Sequence, residues 1–357
     1  AAYLRELRSR ACFWRWEYVR FPKPHGGTHD ILYLGRTAAR KHAMAVLGIK
    51  ADAATDRPDG STSRHGVLVS EMPTPNALRV PKLLSTIVPL GRPLDEIVGS
   101  YHSALRAFIH TRHEGYRIRP VLDEAEIDRI DRDMLKPFAA RHGDFAVQMD
   151  SGDVREMALA DWGRLDMVYA GEEAVGCQLS YRFVRAGKRY WSLYRCGFPE
   201  TLFADSKRLR EANSMNNYLA LKWAAENGYD YLDLGTSVAR PDVGVLRWKR
   251  ERKGILDTLG NHDYLYVRLP KAGTARFLWN TPLFSVRRGR LALHLGIPDG
   301  PTDADIAVRY REMGFSGLSR VYLHCERAVG ESVLKKFHAL YSGQETPPAV
   351  QTIPVGG

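Results

Sequence analysis

Tyr231-Leu-Asp-Leu-Gly235-Thr-Ser-Val-Ala-Arg-Pro-Asp-Val-Gly244-Val-Leu-Arg-Trp248-Lys249-Arg-Glu-Arg-Lys-Gly254 is the stretch from which the rest of the chain can be read. Tyr229 to Leu234 reads as a strand and Val245 to Lys253 as a short basic helix. Gly235 and Gly244 lie along the connection, where glycine permits a positive φ or close backbone approach at the edge of a cleft.

Working back from that stretch, Met215 to Glu226 has good helix formers and closes at Asn227-Gly228, a left-handed C-cap. Two hairpins precede it. Leu165 to Ala170 turns at Gly171-Glu-Glu, and Ala174 to Val184 turns at Ala186-Gly-Lys into Arg189 to Cys196. Before them, Tyr116 to Leu122 reads as a strand, and Asp123-Glu-Ala-Glu126 has cap spacing for a helix reaching about Arg141. Earlier still, apolar positions from Leu94 to Ile109 recur at helical spacing and stop at Gly115. Arg106, His110, Arg112 and His113 sit on that helix's exposed side and last turn, where cations suit the dipole. The first stretch, Ala1 to Phe21, is an aromatic and basic arm; a strand follows at Asp30 to Gly35, and Asp52 to His65 reads as a loop.

Working forward, Asp263 to Leu269 alternates as a strand. Phe277 to Gly296 is basic and apolar by turns, the pattern of an amphipathic helix packed on the preceding lobe or lying on an anionic membrane face. Asp303 to Met313 gives another helix, and Gln344 to Gly357 reads as a disordered end.

A chain of 357 residues with 44% hydrophobic residues buries a sizeable core and suggests about two domains. Lys and Arg number 52 against 41 Asp and Glu, a net of +11, which favours anionic partners and is equally compatible with a basic surface that holds no ligand. Four cysteines, Cys12, Cys177, Cys196 and Cys325, are spaced too widely for a zinc knuckle or a redox pair, so no metal is expected. The sequence opens without the pattern of a secretory leader and holds no stretch of about 18 apolar residues, so the expectation is a cytoplasmic chain whose membrane contact is at most peripheral. There is no Walker loop, GxGxxG, HExxH or GxSxG elbow, which leaves nucleotide hydrolysis, dinucleotide redox chemistry, zinc hydrolysis and serine hydrolysis without support.

With Asp233, Gly235, Ser237, Gly244, Trp248, Lys249 and Gly254 at these spacings, the opening stretch resembles the Fem-type and related acetyltransferase-like families. Their second lobe carries a strand reading Asp-(aromatic or Leu)-Gly-x-Ser, a loop with Gly, then an aromatic-Lys pair and a closing Gly. Leu90 to Arg119 is similar to the helix they place before that lobe, so the resemblance spans roughly Leu90 to Leu269. It implies an α+β fold of two acetyltransferase-like lobes, each a mixed, mostly antiparallel sheet flanked by helices. On this reading, 1–115 is a degenerate N-terminal lobe, 116–270 the C-terminal lobe, 271–343 a helical extension and 344–357 a disordered tail. In such a lobe the sheet splays between its fourth and fifth strands and the acyl donor inserts into the opening.

The resemblance also implies an acyl or aminoacyl transferase acting on an amine acceptor. It implies no cofactor, because the donor, aminoacyl-tRNA or a carrier-bound or coenzyme A thioester, is a co-substrate. The aromatic-Lys pair of the family puts Trp248 and Lys249 at the junction of donor and acceptor. An ammonium there would meet a phosphate, a carboxylate or the oxyanion of acyl transfer; the plainer alternative is a solvated lysine in a basic run. Asp233 either takes a proton from the attacking amine or caps the loop at Thr236 and Ser237. Tyr194 and Tyr231 are candidate phenol donors on strands that line the cleft, and strict alternation puts Arg195 on the opposite face from Tyr194.

One departure from the family matters. Ordinary acetyltransferases grip pyrophosphate with a glycine loop at a helix N-terminus, whereas this chain has Lys207-Arg-Leu-Arg-Glu-Ala-Asn-Ser-Met there. Lys207, Arg208 and Arg210 would hold phosphate by charge, which suits tRNA or a phosphopantetheine carrier, or are simply solvated. Two other readings stand beside the aminoacyl transferase: a non-catalytic RNA-binding or assembly module that keeps the fold, and a coenzyme A acyltransferase with an unusual grip.

Overall fold

The computed structural model describes residues 16–24, 29–50, 52–57, 66–258 and 263–356; Cys12, most of the N-terminal arm and 58–65 of the expected loop lie outside them. The chain divides into two compact units. One comprises Ala1–Leu84, Thr236–Arg250 and Ile255–Gly357; the other comprises Ser85–Gly235 and Glu251–Gly254.

In the first unit, β1 (Trp16–Phe21) pairs antiparallel with β2 (Ile31–Arg36), and α1 (Thr37–Val46) follows. β3 (Val67–Ser70) runs parallel to β2, and β4 (Leu78–Pro81) lies at the far edge. Ile31, Tyr33, Val67 and Val69 are buried against Ala43 and Met44 of α1, as period-2 strands over an amphipathic helix require. The strand between β3 and β4 is β12 (Tyr264–Arg268), antiparallel to both. The sequence reading ended the second lobe with this strand. Alternation identifies a strand but not the sheet that accepts it, because pairing partners here are some 190 residues away in sequence.

Beyond β12 the structure departs further from the reading. After α9 (Thr274–Asn280) come β13 (Leu283–Arg287), β14 (Arg290–Ile297), α10 (Asp303–Tyr310), β15 (Leu318–Cys325), α11 (Glu331–Tyr341) and β16 (Ala349–Pro354). β13 is antiparallel to β14, while β14, β15 and β16 run parallel. The expected helical extension is therefore an α/β layer, the expected amphipathic helix across Phe277–Gly296 is a helix end and a hairpin, and the tail supplies an edge strand. The run Leu291-Ala-Leu-His-Leu looked helical because β14 is buried on both faces, which removes the alternation that marks a half-exposed strand. Gly296 is required there, since a Cβ would stand 1.8 Å from the Ala275 carbonyl oxygen of α9.

In the second unit, β5 (Leu83–Pro89) leads through α2 (Leu94–Gly99) and α3 (Ser103–Arg112) to β6 (Tyr116–Pro120). The single helix expected from Leu94 is two. The Ser100 hydroxyl bonds the Ile97 carbonyl at 2.6 Å and ends the first. Next come α4 (Glu124–Ile130), a π-helical turn (Asp131–Leu135), α5 (Lys136–His142) and α6 (Ser151–Leu159). The Asp123 carboxylate accepts the Glu126 N–H at 2.8 Å, as the cap spacing predicts.

β7 (Gly163–Ala170), β8 (Glu173–Arg185) and β9 (Lys188–Gly197) then form the expected antiparallel meander. Ala186 and Gly187 both take positive φ in the last turn, matching a two-residue hairpin. α7 (Ser206–Glu226) begins nine residues before the expected start, and β10 (Tyr231–Val238) follows it, in this unit as far as Gly235. With β11 (Ile255–Asp257) at one edge, the strands run in the order β11-β5-β10-β9-β8-β7-β6. From β6 to β10 this is the strand and helix order expected of an acetyltransferase-type lobe, with α6 added and the last expected strand, β12, placed in the other sheet; both sheets are mixed, mostly antiparallel and flanked by helices. The neighbour of β10, however, is β5, a segment the sequence reading left in the first lobe.

Candidate functional site

β10 runs parallel to β9, but only Tyr231, Leu232 and Asp233 pair, with Tyr190, Trp191 and Ser192. Within the second unit both strands continue beyond those rungs, β9 to Gly197 and β10 to Gly235. The ladder between these parallel strands therefore ends after three rungs, and the sheet opens beyond Asp233.

Asp233 sits at the fork. It is 8% exposed, and its carboxylate accepts the Ser85 hydroxyl (2.9 Å), the Ser192 hydroxyl (2.8 Å) and the Gly235 N–H (3.0 Å). A carboxylate holding three donors is a clamp joining β5, β9 and β10, which matches the capping alternative, with Gly235 capped in place of Thr236 and Ser237. Gly235 has φ +73, and a Cβ there would stand 3.3 Å from the Leu193 carbonyl oxygen. Sequence reading missed Ser85 and Ser192, since a serine in a strand carries no signal of the carboxylate it will meet.

On β9 the register slips by one: Ser180 faces Leu193 while Leu179 faces Arg195, so Tyr194 is the extra residue of a β-bulge. A bulge takes its extra residue out of the ladder and re-aims its side chain. Tyr194 packs edge-on against Tyr181, ring centres 5.5 Å apart. Burial raises the Tyr181 phenol above its ordinary pKa, with a hydrogen bond to Ser192 working in the other direction. The bulge also corrects the alternation argument. Arg195 lies in register with Leu179, on the face that Tyr181 and Tyr194 share, because one extra residue cancels one reversal of side.

Arg195 reaches the buried Asp131 of the π-helical turn, Nη1 to Oδ1 3.6 Å, with neither atom in a hydrogen bond. Asp131 Oδ2 takes the Ser151 hydroxyl at 2.8 Å and Lys136 Nζ at 3.1 Å. Asp131 and Lys136 are five residues apart, the spacing a π turn superposes on one side of a helix. Tyr231 is on the paired part of β10 and is committed to stacking on Tyr190, ring centres 4.9 Å apart, with Phe183 beyond it at 4.8 Å.

At the start of α7 the Asp205 carboxylate caps the Lys207 and Arg208 N–H groups, both at 3.0 Å. An anion already stands where a pyrophosphate would bind. Arg208 pairs with Glu173 at 2.7 Å on the surface, Arg210 Nε bonds the Ser206 carbonyl, and Lys207 is exposed. Between α7 and the sheet lies a recess of about 10 Å³ lined by Asp166, Gln178, Ser180 and Asn216, enough for one water and too small for a substrate.

Lys249, Trp248, Gly244 and Ser237 belong to the first unit. Lys249 is 2% exposed on α8 (Gly244–Glu251), which removes the solvated-lysine alternative. Trp248 is half-buried on the same helix, and the Ser237 side chain is buried on β10. Gly244 has neither a positive φ nor an atom within 4 Å of a Cβ, so the structural reason offered for it does not hold. The Cys177 thiol is fully buried and pushed up by burial, and Cys325 rises to about 11 by the same cause, so neither is a thiolate nucleophile.

No protein-family model matches the chain, and no curated protein does. Solved structures with similarity include FemX, at 11% identity over 72% of this chain and 90% of that one, TM-score 0.40. The C-terminal domain of a putative lysylphosphatidylglycerol synthetase from Agrobacterium fabrum is 13% identical over 71% and 81%, TM-score 0.35. L-PGS from Bacillus licheniformis is 13% identical over 78% and 94%, TM-score 0.34. At such identities and scores the functional reading stands on the geometry above.

Proposed function

We propose that the chain is an acyl or aminoacyl transferase that joins an activated acyl group to an amine, with the donor lying in the opening between β9 and β10. The observation that carries this reading is the parallel pair that ends after three rungs beside a bulge. An opening between two strands suits the amides of a pantetheine arm, bound as an added strand would be, and equally the α-amino and ester groups of an aminoacyl end. The bulge at Tyr194 breaks the regular ladder beside the opening, and a main-chain N–H aimed there would suit the oxyanion that forms when an amine attacks.

The Asp205 cap and the missing glycines disfavour a pyrophosphate cradle at α7. This supports a donor held by other means, aminoacyl-tRNA first and a carrier-bound thioester second, and the net of +11 suits either. On this reading the chain works in the cytoplasm, with any membrane contact peripheral; among the described residues no helix is long and apolar enough to cross a membrane. Lys249, buried on α8 of the first unit, keeps the part in transfer that the family resemblance implies.

A thermal-shift panel of aminoacyl-tRNA, uncharged tRNA, acyl carrier protein and acyl-coenzyme A tests the donor, because a ligand that binds only the folded chain raises its Tm. Stabilisation by aminoacyl-tRNA beyond that by uncharged tRNA is expected. Stabilisation by coenzyme A thioester alone would replace it with a coenzyme A acyltransferase. Equal, salt-sensitive shifts with charged and uncharged tRNA, without transfer to any amine, would make the chain an RNA-binding module. Lys249→Met, tested with a donor that shifts Tm, is expected to lose transfer while keeping the shift.

A further inference from the structure

Within the first unit, α10 and α11 leave a groove of about 320 Å³ between them. Ile306, Tyr310, Phe337 and Leu340 line it, with Arg311 and Lys336 as its charged groups and no carboxylate among the lining residues. The floor is firm. Tyr310 and Phe337 are buried, their ring centres 5.8 Å apart, and the Tyr310 hydroxyl donates to the Gly296 carbonyl at 2.6 Å.

The charges around the groove are unevenly committed. Asp303 is held by Arg327 at 2.8 Å, Glu331 by Lys335 at 2.9 Å, and Glu312 lies 3.5 Å from Arg247 and 3.9 Å from Arg250. Arg309 turns away to the Trp279 carbonyl at 2.9 Å. The neighbouring carboxylates thus carry nearer cations already, Lys336 adding only the smallest share to the charge that holds Asp303 low, while exposed Arg311 and Lys336 stand at an apolar slot. That combination is complementary to a molecule with one apolar tail and one negative end, and the volume is at the small end of ligand pockets, suited to a single chain.

We infer that this groove binds the anion of a medium-chain fatty acid, the alkyl chain between α10 and α11 and the carboxylate at Arg311 and Lys336. The inference is independent of the transfer chemistry proposed for the second unit. Calorimetric titration with decanoate below its micellar concentration tests it, with decyltrimethylammonium as the oppositely charged probe of the same tail.

Saturable one-site binding of decanoate, weakened about tenfold in Arg311→Glu/Lys336→Glu and lost in Ala307→Trp, is the expected result, since two exposed charge contacts contribute roughly threefold each. Circular dichroism and Tm would establish that both variants remain folded. Three outcomes would overturn the proposal: decyltrimethylammonium binding as well as decanoate, decanoate binding that neither variant alters, or no saturable binding. Sedimentation showing a dimer that Ala307→Trp dissociates would overturn it too, by making the groove an interface between copies.

Discussion

The Ser192 hydroxyl donates to Asp233 Oδ2 at 2.8 Å across the last rung that joins β9 to β10. The carboxylate on which the strands converge is therefore also the point from which they part, so the shape of the opening depends on this bond.

Asp233→Ala strands the Ser85 and Ser192 hydroxyls and the Gly235 N–H, and is expected to cost about 2–4 kcal/mol in urea unfolding. Asp233→Asn keeps one acceptor oxygen and is expected to cost less than half as much while retaining transfer activity. An Asn variant of full stability and no activity would restore the role of proton acceptor.

Gly235→Ala places a side chain at φ +73 and a Cβ 3.3 Å from the Leu193 carbonyl oxygen. A left-handed residue with a Cβ is strained by roughly 1–2 kcal/mol, so the midpoint of unfolding should fall accordingly. Gly244→Ala, with neither constraint, is expected to leave the midpoint unchanged or raise it slightly.

Asp131→Ala leaves Arg195 buried without its counter-charge and is expected to destabilise by about 3–5 kcal/mol. Replacing both members together, as Asp131→Leu/Arg195→Leu, should recover much of that loss. A double variant no more stable than Asp131→Ala would show that the pair is needed for packing around the bulge.

A buried chain links Ser285 to His294 Nε2 at 2.8 Å and His294 Nδ1 to His324 Nε2 at 3.0 Å. Burial, with His324 beside it, holds His294 at about 3, and burial holds His324 at about 4. Both folded values lie below the ordinary 6.5, so the unfolded chain takes up these protons first. Stability should be complete above pH 6.5 and fall as pH drops from there toward 4, by about 1.4 kcal/mol per pH unit for each histidine. Unfolding midpoints between pH 7 and 4 check this, with a flatter profile expected in His294→Gln/His324→Gln.

Local chemistry was legible in the sequence. The Asp123 cap, the Ala186-Gly187 turn, the Asn227-Gly228 helix end and the order of elements from Tyr116 to β10 follow from short-range preferences that act within a few residues. Asp233 and Gly235 were also visible as residues that matter at a strand end. What they do was not, because the partners of Asp233 lie 41 and 148 residues away, at Ser192 and Ser85.

Tertiary structure alone decided the rest. It put β12 in the first sheet and β5 beside β10, since a strand's pattern is satisfied by any partner offering complementary main-chain groups. It turned Arg195 to the side of Tyr194, because a bulge is set by the register of two strands and by neither one alone. It built β13 to β16 from a segment read as helix and tail, where burial on both faces erased the alternation. Sequence spacing settled the local elements; long-range pairing settled which of their side chains meet.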